Sequence, residues 1–318
     1  MGTHLAERLV FLGTPLFAAR HLEFLLQKGI SFAGVFCQPD RLSGRGKKKT
    51  PPPVKTLAQR WEIPVFQPES INEPEAVQAL EQLRPDRIVV VAYGQILRKR
   101  VRMLPEKGLV NVHASLLPAY RGAAPLHRAL LSGEKRTGIS LMKITAGMDS
   151  GPFFWRKAIA VPPLCTLGTL EEKLVDLGSH MLWEFLQDPL FFSETPQPEG
   201  QASLAPKVQK EDLLLRWTQS APQVANRIRA FDPEPGCLTA IHGQVVKLFG
   251  VKGWLLDATP YAPGTIVRVE KQGAWVCCAN GMVLVERIQF PSKKPVFFFQ
   301  AQGSGKIAPG QCLESLEA

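Results

Sequence analysis

Three polar residues hold the chemistry this sequence offers: Asn111, His113 and Asp149. Asn111 and His113 alternate with Val110 and Val112 in the run LVNVH. On a strand, successive side chains point to opposite faces, so the amide and the imidazole share one face. Two such groups on an apolar strand need partners, because buried polar groups cost free energy when unpaired. Asp149 stands in a glycine-bracketed turn, AGMDSG. None of the three is a strong nucleophile, and Ser115 lacks the Gly-x-Ser-x-Gly elbow of serine hydrolases. The set therefore suits a reaction whose nucleophile arrives with the substrate. An amide donor and an imidazole stabilise a tetrahedral oxyanion and pass protons, while a carboxylate orients the imidazole and helps to deprotonate an attacking amine. Acyl or formyl transfer to an amine fits that set.

The elements that must position these groups read as an α/β chain. Residues 8–12 form an apolar strand, followed by Gly13-Thr14-Pro15 and helical spacing over 17–26. Strand, glycine turn and helix open a doubly wound, mostly parallel sheet. The three-glycine dinucleotide pattern is missing, so no NAD is expected and Asp40 is not a ribose-binding acid. Further strands are expected at 32–37, 64–67, 87–92, 109–113, 138–143 and 153–161, and helices at 54–61, 73–83, 125–131 and 167–186. The continuous apolar run 87–92 reads as a central parallel strand. Tyr93 to Leu97 follow at its carboxyl end, where open α/β sheets bind ligands. Composition divides the chain into a first domain at 1–188, a linker at 189–206 and a second domain at 207–318. The second is expected to hold a basic helix at 221–231, a hairpin over 238–251 turning at His242-Gly243, and short strands at 264–270, 274–279 and 282–289. That texture suggests a small β-barrel.

The chain of 318 residues has 38 Lys and Arg against 28 Asp and Glu, a net charge of +10, which favours an anionic partner such as nucleic acid. The stretch 38–55 concentrates Arg41, Arg45, Lys47, Lys48, Lys49 and Lys55 with Asp40 as its one acid. Its prolines and glycines predict an irregular loop. Lysines and arginines on such a loop suit a clamp on a phosphate backbone. The six cysteines show no CxxC pair and no metal-like spacing with histidine, so reduced thiols and no metal are expected. No apolar run approaches the roughly 20 residues of a membrane helix, and the opening MGTHLAERLVFLGTP lacks a signal-peptide pattern. A cytoplasmic protein with no membrane contact is expected.

Asn111-Val112-His113, followed by Ser115-Leu116-Leu117-Pro118 and Arg121-Gly122, resembles the signature of the folate-dependent formyltransferases, and Asp149 matches that family's catalytic aspartate. GTPLFAARHL, QPDRLSGRGKKKTPPPVK, VVVAYGQIL and RIRAFDPEPG resemble the branch that formylates methionyl-tRNA, so the likeness spans nearly the whole chain. The resemblance implies a Rossmann-like formyltransferase domain followed by an OB-like β-barrel that binds tRNA. It implies formyl transfer from 10-formyltetrahydrofolate to the methionine amino group of initiator methionyl-tRNA, for translation initiation. Asn111 and His113 would polarise the formyl oxygen, and Asp149 would position His113 and assist proton transfer. Ser115, Leu116, Leu117 and Pro118 would line the folate site, with Ile96 and Leu97 near the pterin. Arg41 and Arg45, with Lys47, Lys48 and Lys49, would meet the acceptor-stem end of the tRNA. A monomer is implied. The chain departs from the family pattern at Leu16, Arg87, Ala114 and Ala119, none of them among the catalytic three. A formyltransferase for a small amine (a nucleotide sugar or glycinamide ribonucleotide) would share those three but need no basic loop. A non-enzymatic RNA-binding relative would have lost one of them, and none is lost.

Overall fold

The computed structural model describes residues 7–43, 48–198, 200–257 and 259–316. The chain divides into two compact units, Met1–Ala123 with Gly138–Ala158 and Glu172–Leu204, and Ala124–Thr137 with Ile159–Glu171 and Ala205–Ala318. Neither is contiguous in sequence. Two internal segments group with the C-terminal unit, and most of the stretch read as a linker groups with the first.

The order of elements begins β1 (Leu9–Gly13), α1 (Leu16–Gln27), β2 (Phe32–Phe36), β3 (Arg41–Ser43), β4 (Lys48–Thr50), α2 (Pro53–Arg60), β5 (Val65–Phe66), α3 (Pro74–Gln82), β6 (Arg87–Val91), α4 (Lys99–Arg102) and β7 (Leu109–His113). It continues with α5 (Pro125–Leu131), β8 (Arg136–Lys143), β9 (Phe153–Ala160) and α6 (Leu167–Gln187). Seven strands form one sheet in the order β5-β2-β1-β6-β7-β8-β9. The pairs from β5 through β7 are parallel, and β8 runs antiparallel to β7. Every residue of β1 and β6 is buried, as expected of parallel strands covered on both faces. Val10, Leu12, Ile88 and Val90 pack with Ile71, Leu80, Tyr93 and Leu97 in one core cluster. Each such buried apolar side chain contributes about 1.5–3 kcal/mol. Where the chain leaves β1, a Cβ on Gly13 would meet the Phe11 ring at 2.6 Å and the Val91 carbonyl at 2.9 Å, so only glycine fits there.

One local expectation is corrected. The basic stretch is not wholly irregular, since β3 and β4 pair as an antiparallel ribbon with Arg41 opposite Thr50 and Leu42 opposite Lys49. Its prolines, Pro39 and Pro51 to Pro53, all lie outside β3 and β4, so they leave the ladder intact. Arg87, unusual in an apolar strand, opens β6 buried against Glu7 (2.8 Å), the Lys107 carbonyl (3.0 Å) and the Phe185 ring. A guanidinium so paired is tolerated where a lone charge would not be.

The C-terminal unit contains α7 (Ala221–Ala230), β10 (Cys237–Ile241), β11 (Gln244–Leu255), β12 (Ile266–Glu270), β13 (Gly273–Cys278), β14 (Gly281–Gln289), β15 (Val296–Phe297) and α8 (Phe298–Gly303). Ser220 and Gln223 form a capping box that starts α7. The sheet order is β10-β11-β14-β13-β12, with β15 on β14. His242 and Gly243 both have positive φ, 51° and 71°, as a tight hairpin turn requires. The two edges of this sheet are joined by the chain's tail. Glu314 exchanges backbone hydrogen bonds with Ala240 beside one edge, while Leu313 and Gln311 bond Gly264 and Ile266 beside the other. The tail thus ties the two edge strands together in a barrel-like closure. The last strand and α8 went unforeseen in the sequence.

His21, on α1, is fully buried and donates Nδ1–H to the Phe17 carbonyl at 2.8 Å. Its Nε2 has no partner among the described residues, and a Cβ on Gly178 would come within 2.6 Å of it. Burial pushes its pKa down to about 4. The unfolded chain therefore takes up this proton first as pH falls, so stability is complete above about pH 6.5 and is lost toward pH 4, by about 3 kcal/mol. Urea unfolding at pH 7 and 4.5 should show a smaller midpoint shift in His21→Leu than in the wild type. An unchanged shift would remove His21 from the acid response.

Candidate active site

β7 brings the two polar residues to the carboxyl end of the sheet. Its neighbours fix the register, with Asn111 beside Val90 of β6 and opposite Met142 of β8, and His113 opposite Ser140. His113 is buried and Asn111 half-buried. The Asn111 amide has no hydrogen-bond partner among the described residues. A carbonyl can only accept, so the 2.9 Å contact between His113 Nε2 and the Tyr120 oxygen places a hydrogen on Nε2. Nδ1 then faces Asp149, 3.6 Å from Oδ2. The same Oδ2 accepts the Gly122 N–H at 2.8 Å. The structure thus brings His113 and Asp149 together and sets Asn111 on the same face of β7.

The turn after β7 is pinned from beneath. Ser140 Oγ accepts from Leu117 N at 3.0 Å and donates to the Ser115 carbonyl at 2.7 Å. Ser115 Oγ donates to the Ala119 carbonyl at 2.6 Å. Arg156 lies over the Phe153 ring and donates to the Leu117 carbonyl. Ser115 and Leu117 have no exposed surface and Pro118 is buried, so Leu116, half-buried, is the part of this turn most open to a ligand. On the neighbouring loop Leu97 is buried, whereas Ile96 is 84% exposed, an apolar side chain left open at the sheet end.

Backbone strain concentrates here. Ala92, Tyr120 and Asp149 all lie in the left-handed region, at φ 46°, 61° and 45°. Such residues cost about 1–3 kcal/mol each and persist only when neighbours hold them. At the Asp149 turn, a Cβ on Gly151 would come 2.0 Å from the Lys143 carbonyl, so the turn closes tightly on the end of β8. Gln197 reaches the same turn, its Nε2 donating to the carbonyls of Asp149 (2.8 Å) and Gly151 (2.7 Å). Its Oε1 accepts from Arg121 Nε and Nη2 at 3.0 and 2.6 Å. Ser203 Oγ accepts from Tyr120 N at 2.9 Å. Sequence reasoning missed Gln197 and Ser203 because proline and glutamate around them read as a tether. Ser140 was the detectable one, a hydroxyl inside the apolar run ISLM.

Of the basic stretch, Arg41 and Lys49 are exposed, while Lys55 is spent on Asp40 at 2.9 Å. Its ammonium, with Gln67, holds the Asp40 carboxyl below the usual range. Arg45 and Lys47 lie outside the described residues, as does the side chain of Lys48. Among the described residues no three His, Cys, Asp or Glu gather as metal ligands, and no helix is long and apolar enough to cross a membrane. A wide groove of about 1380 Å³ lies at the opposite, amino-terminal end of the strands, lined by Glu7, Arg87, Lys107, Leu109 and Leu190. It contains none of the three polar residues.

A doubly wound sheet with Asn, His and Asp at its carboxyl end is an arrangement that suits acyl transfer. The chain belongs to the formyl transferase family, matching the formyl transferase model over residues 7–186 and the formyl transferase C-terminal domain over 207–298. It is 47% identical to a methionyl-tRNA formyltransferase of Kosmotoga olearia, over 95% of this chain and 98% of that one. Two solved structures share the fold. An N-formyltransferase from Helicobacter canadensis, complexed with folinic acid and dTDP-3-aminofucose, is 17% identical with a TM-score of 0.66, covering 88% of this chain and 98% of that one. HypX from Aquifex aeolicus, complexed with tetrahydrofolic acid, is 18% identical with a TM-score of 0.63. There 95% of this chain matches, spanning about half (47%) of the longer HypX chain.

The Ser140 hydroxyl makes a direct prediction. Ser140→Ala leaves the Leu117 N–H and the Ser115 carbonyl without their buried partner, at a cost of about 1–3 kcal/mol. A lowered urea midpoint in the purified variant checks it.

Proposed function

We propose that this protein transfers the formyl group of 10-formyltetrahydrofolate to the α-amino group of methionine on initiator methionyl-tRNA, as a monomer in the cytoplasm. The observation that carries this reading is the 47% identity to a named methionyl-tRNA formyltransferase over 98% of that enzyme's length, through both domains. A small-amine substrate has less support, since the likeness to the sugar enzyme is one of fold.

The folate supplies an activated formyl carbon. The exposed Ile96 and the half-buried Leu116 suit a flat ring system, so Ile96, Leu97 and the 115–118 turn would hold the donor. Asn111 gives its free amide N–H to the formyl oxygen as negative charge develops there. His113 keeps its Nε2 hydrogen on the Tyr120 carbonyl, so its contribution to the reacting atoms goes through Nδ1. When Nδ1 is protonated, it donates to the same oxygen, and the Asp149 carboxylate beside it balances the charge. Asp149 also takes the proton that the attacking amine loses and returns it toward the departing folate nitrogen.

RNA contacts come from two places. Arg41, Arg45, Lys47, Lys48 and Lys49 would grip the acceptor end. In the C-terminal unit, residues 291–312 contain Lys293, Lys294 and Lys306 and no acid. Phe297 and Phe299, 39% and 38% exposed, stack with ring centroids 5.6 Å apart. Cations beside exposed aromatic rings suit phosphates and unpaired bases.

A formylation assay comparing charged initiator tRNA with free methionine and an amino sugar tests the substrate, and turnover of the tRNA alone is expected. His113→Ala and Asp149→Ala should each lower kcat by about 10²-fold or more while folate still binds. Wild-type rates in both variants would sink the mechanism. Replacing Arg41, Lys293 and Lys294 together with alanine should raise KM for tRNA and reduce its salt slope by about 3, leaving folate affinity unchanged.

A further inference from the structure

His113 ends β7 and Asp149 stands in the turn after β8, and both the loop that follows His113 and the Asp149 turn are tied to residues 195–198 and 200–204. Thr195 exchanges backbone hydrogen bonds with Phe153 at 2.9 and 3.0 Å, which anchors the segment at the start of β9. Two residues on, Gln197 binds both carbonyls of the Asp149 turn and is itself held by Arg121. Farther along, Ser203 bonds the other loop three times. Its N–H donates to the Pro118 carbonyl (3.3 Å), its carbonyl accepts from Arg121 N (2.8 Å) and its hydroxyl accepts from Tyr120 N (2.9 Å). Tyr120 is the residue whose carbonyl fixes the His113 ring. Leu204 completes the contact as a parallel bridge to Arg121.

We infer that residues 195–198 and 200–204 act as a positioning strap, in which Gln197 sets Asp149 and Ser203, acting through the Tyr120 carbonyl, sets His113, so that the two side chains keep their mutual register. The inference rests on the formyl-transfer reading of this pair. Both anchored residues, Asp149 and Tyr120, have left-handed backbones that relax unless held. Gln197 is suited to its place because an amide is both donor and acceptor. Its NH₂ group bridges two carbonyls while its oxygen takes both guanidinium hydrogens. No aliphatic side chain does either, and a carboxylate does only the second. Neither Gln197 nor Ser203 touches the reacting atoms, so each is a positioning residue.

The test is steady-state kinetics of Gln197→Ala, Gln197→Glu and Ser203→Ala with charged initiator tRNA, alongside melting temperature and folate binding. Misplacement of a reacting group by about 1 Å costs on the order of 10²-fold. The strap predicts that Gln197→Ala lowers kcat by about 10–100-fold, with both KM values within about twofold. Gln197→Glu separates the two halves of the clamp, because it keeps the Arg121 contact as an ion pair and loses both donations to the Asp149 turn. It should lose kcat as fully as alanine does, with its melting temperature kept. Wild-type kcat in Gln197→Ala, recovery of kcat in Gln197→Glu, or a loss confined to KM would each overturn the proposal. A wild-type protein inactive on methionyl-tRNA would instead overturn the substrate assignment.

Discussion

A carboxylate serves a buried imidazole only if something other than the pair fixes the gap between them. Here the gap is 3.6 Å, and attraction alone would close it or let it open with each thermal movement of the Asp149 turn. The sheet supplies one reference. His113 rides on β7 between β6 and β8, and the Tyr120 carbonyl locks its ring. The second reference must be built from loop. A left-handed aspartate between glycines would not hold its place unaided, so the Gly122 N–H and the Gln197 amide hold it. The catalytic proposal, the strained backbone and the long return of the chain past α6 all answer the same mechanical demand.

The sheet meets that demand cheaply because its central strands are immobile. β1 and β6 are buried throughout, and their side chains enter one cluster with Tyr93 and Leu97, the residues that lead into the open Ile96. Loops leaving the carboxyl ends of such strands inherit their rigidity over the first few residues. The Tyr93 carbonyl illustrates this, receiving Thr14 Oγ1 at 2.9 Å and Gln38 Nε2 at 3.2 Å from the loops after β1 and β2. Three consecutive strand ends are thereby stitched together before any ligand arrives.

What the sequence revealed, it revealed through periodicity and local turn chemistry. The run RIVVVA reads as a covered strand, and the alternation in LVNVH by itself places Asn111 and His113 on one face. His242-Gly243 announced a hairpin because both positions demand positive φ. The failures share a cause as well. Gln197 and Ser203 work through main-chain partners some fifty to eighty residues away in sequence, and nothing in proline- and glutamate-rich composition records such a partner. The β3–β4 ribbon was hidden by glycines and prolines that flank a ladder without entering it. The C-terminal tail looked like an end and proved to be the joint between two sheet edges.

The division of the chain into interleaved units has a consequence for its birth. Ala124–Thr137, with α5 in it, leaves the ribosome long before α7, the helix against which α5 packs within the C-terminal unit. While translation continues, the buried face of α5, with Ala129 and Leu130, has no partner yet made. The nascent chain must therefore carry an exposed apolar helix face until the C-terminal unit is made. Until then that face is open to aggregation, so chaperone supply and the pace of elongation through the intervening stretch bear on yield alongside the stability of the finished units.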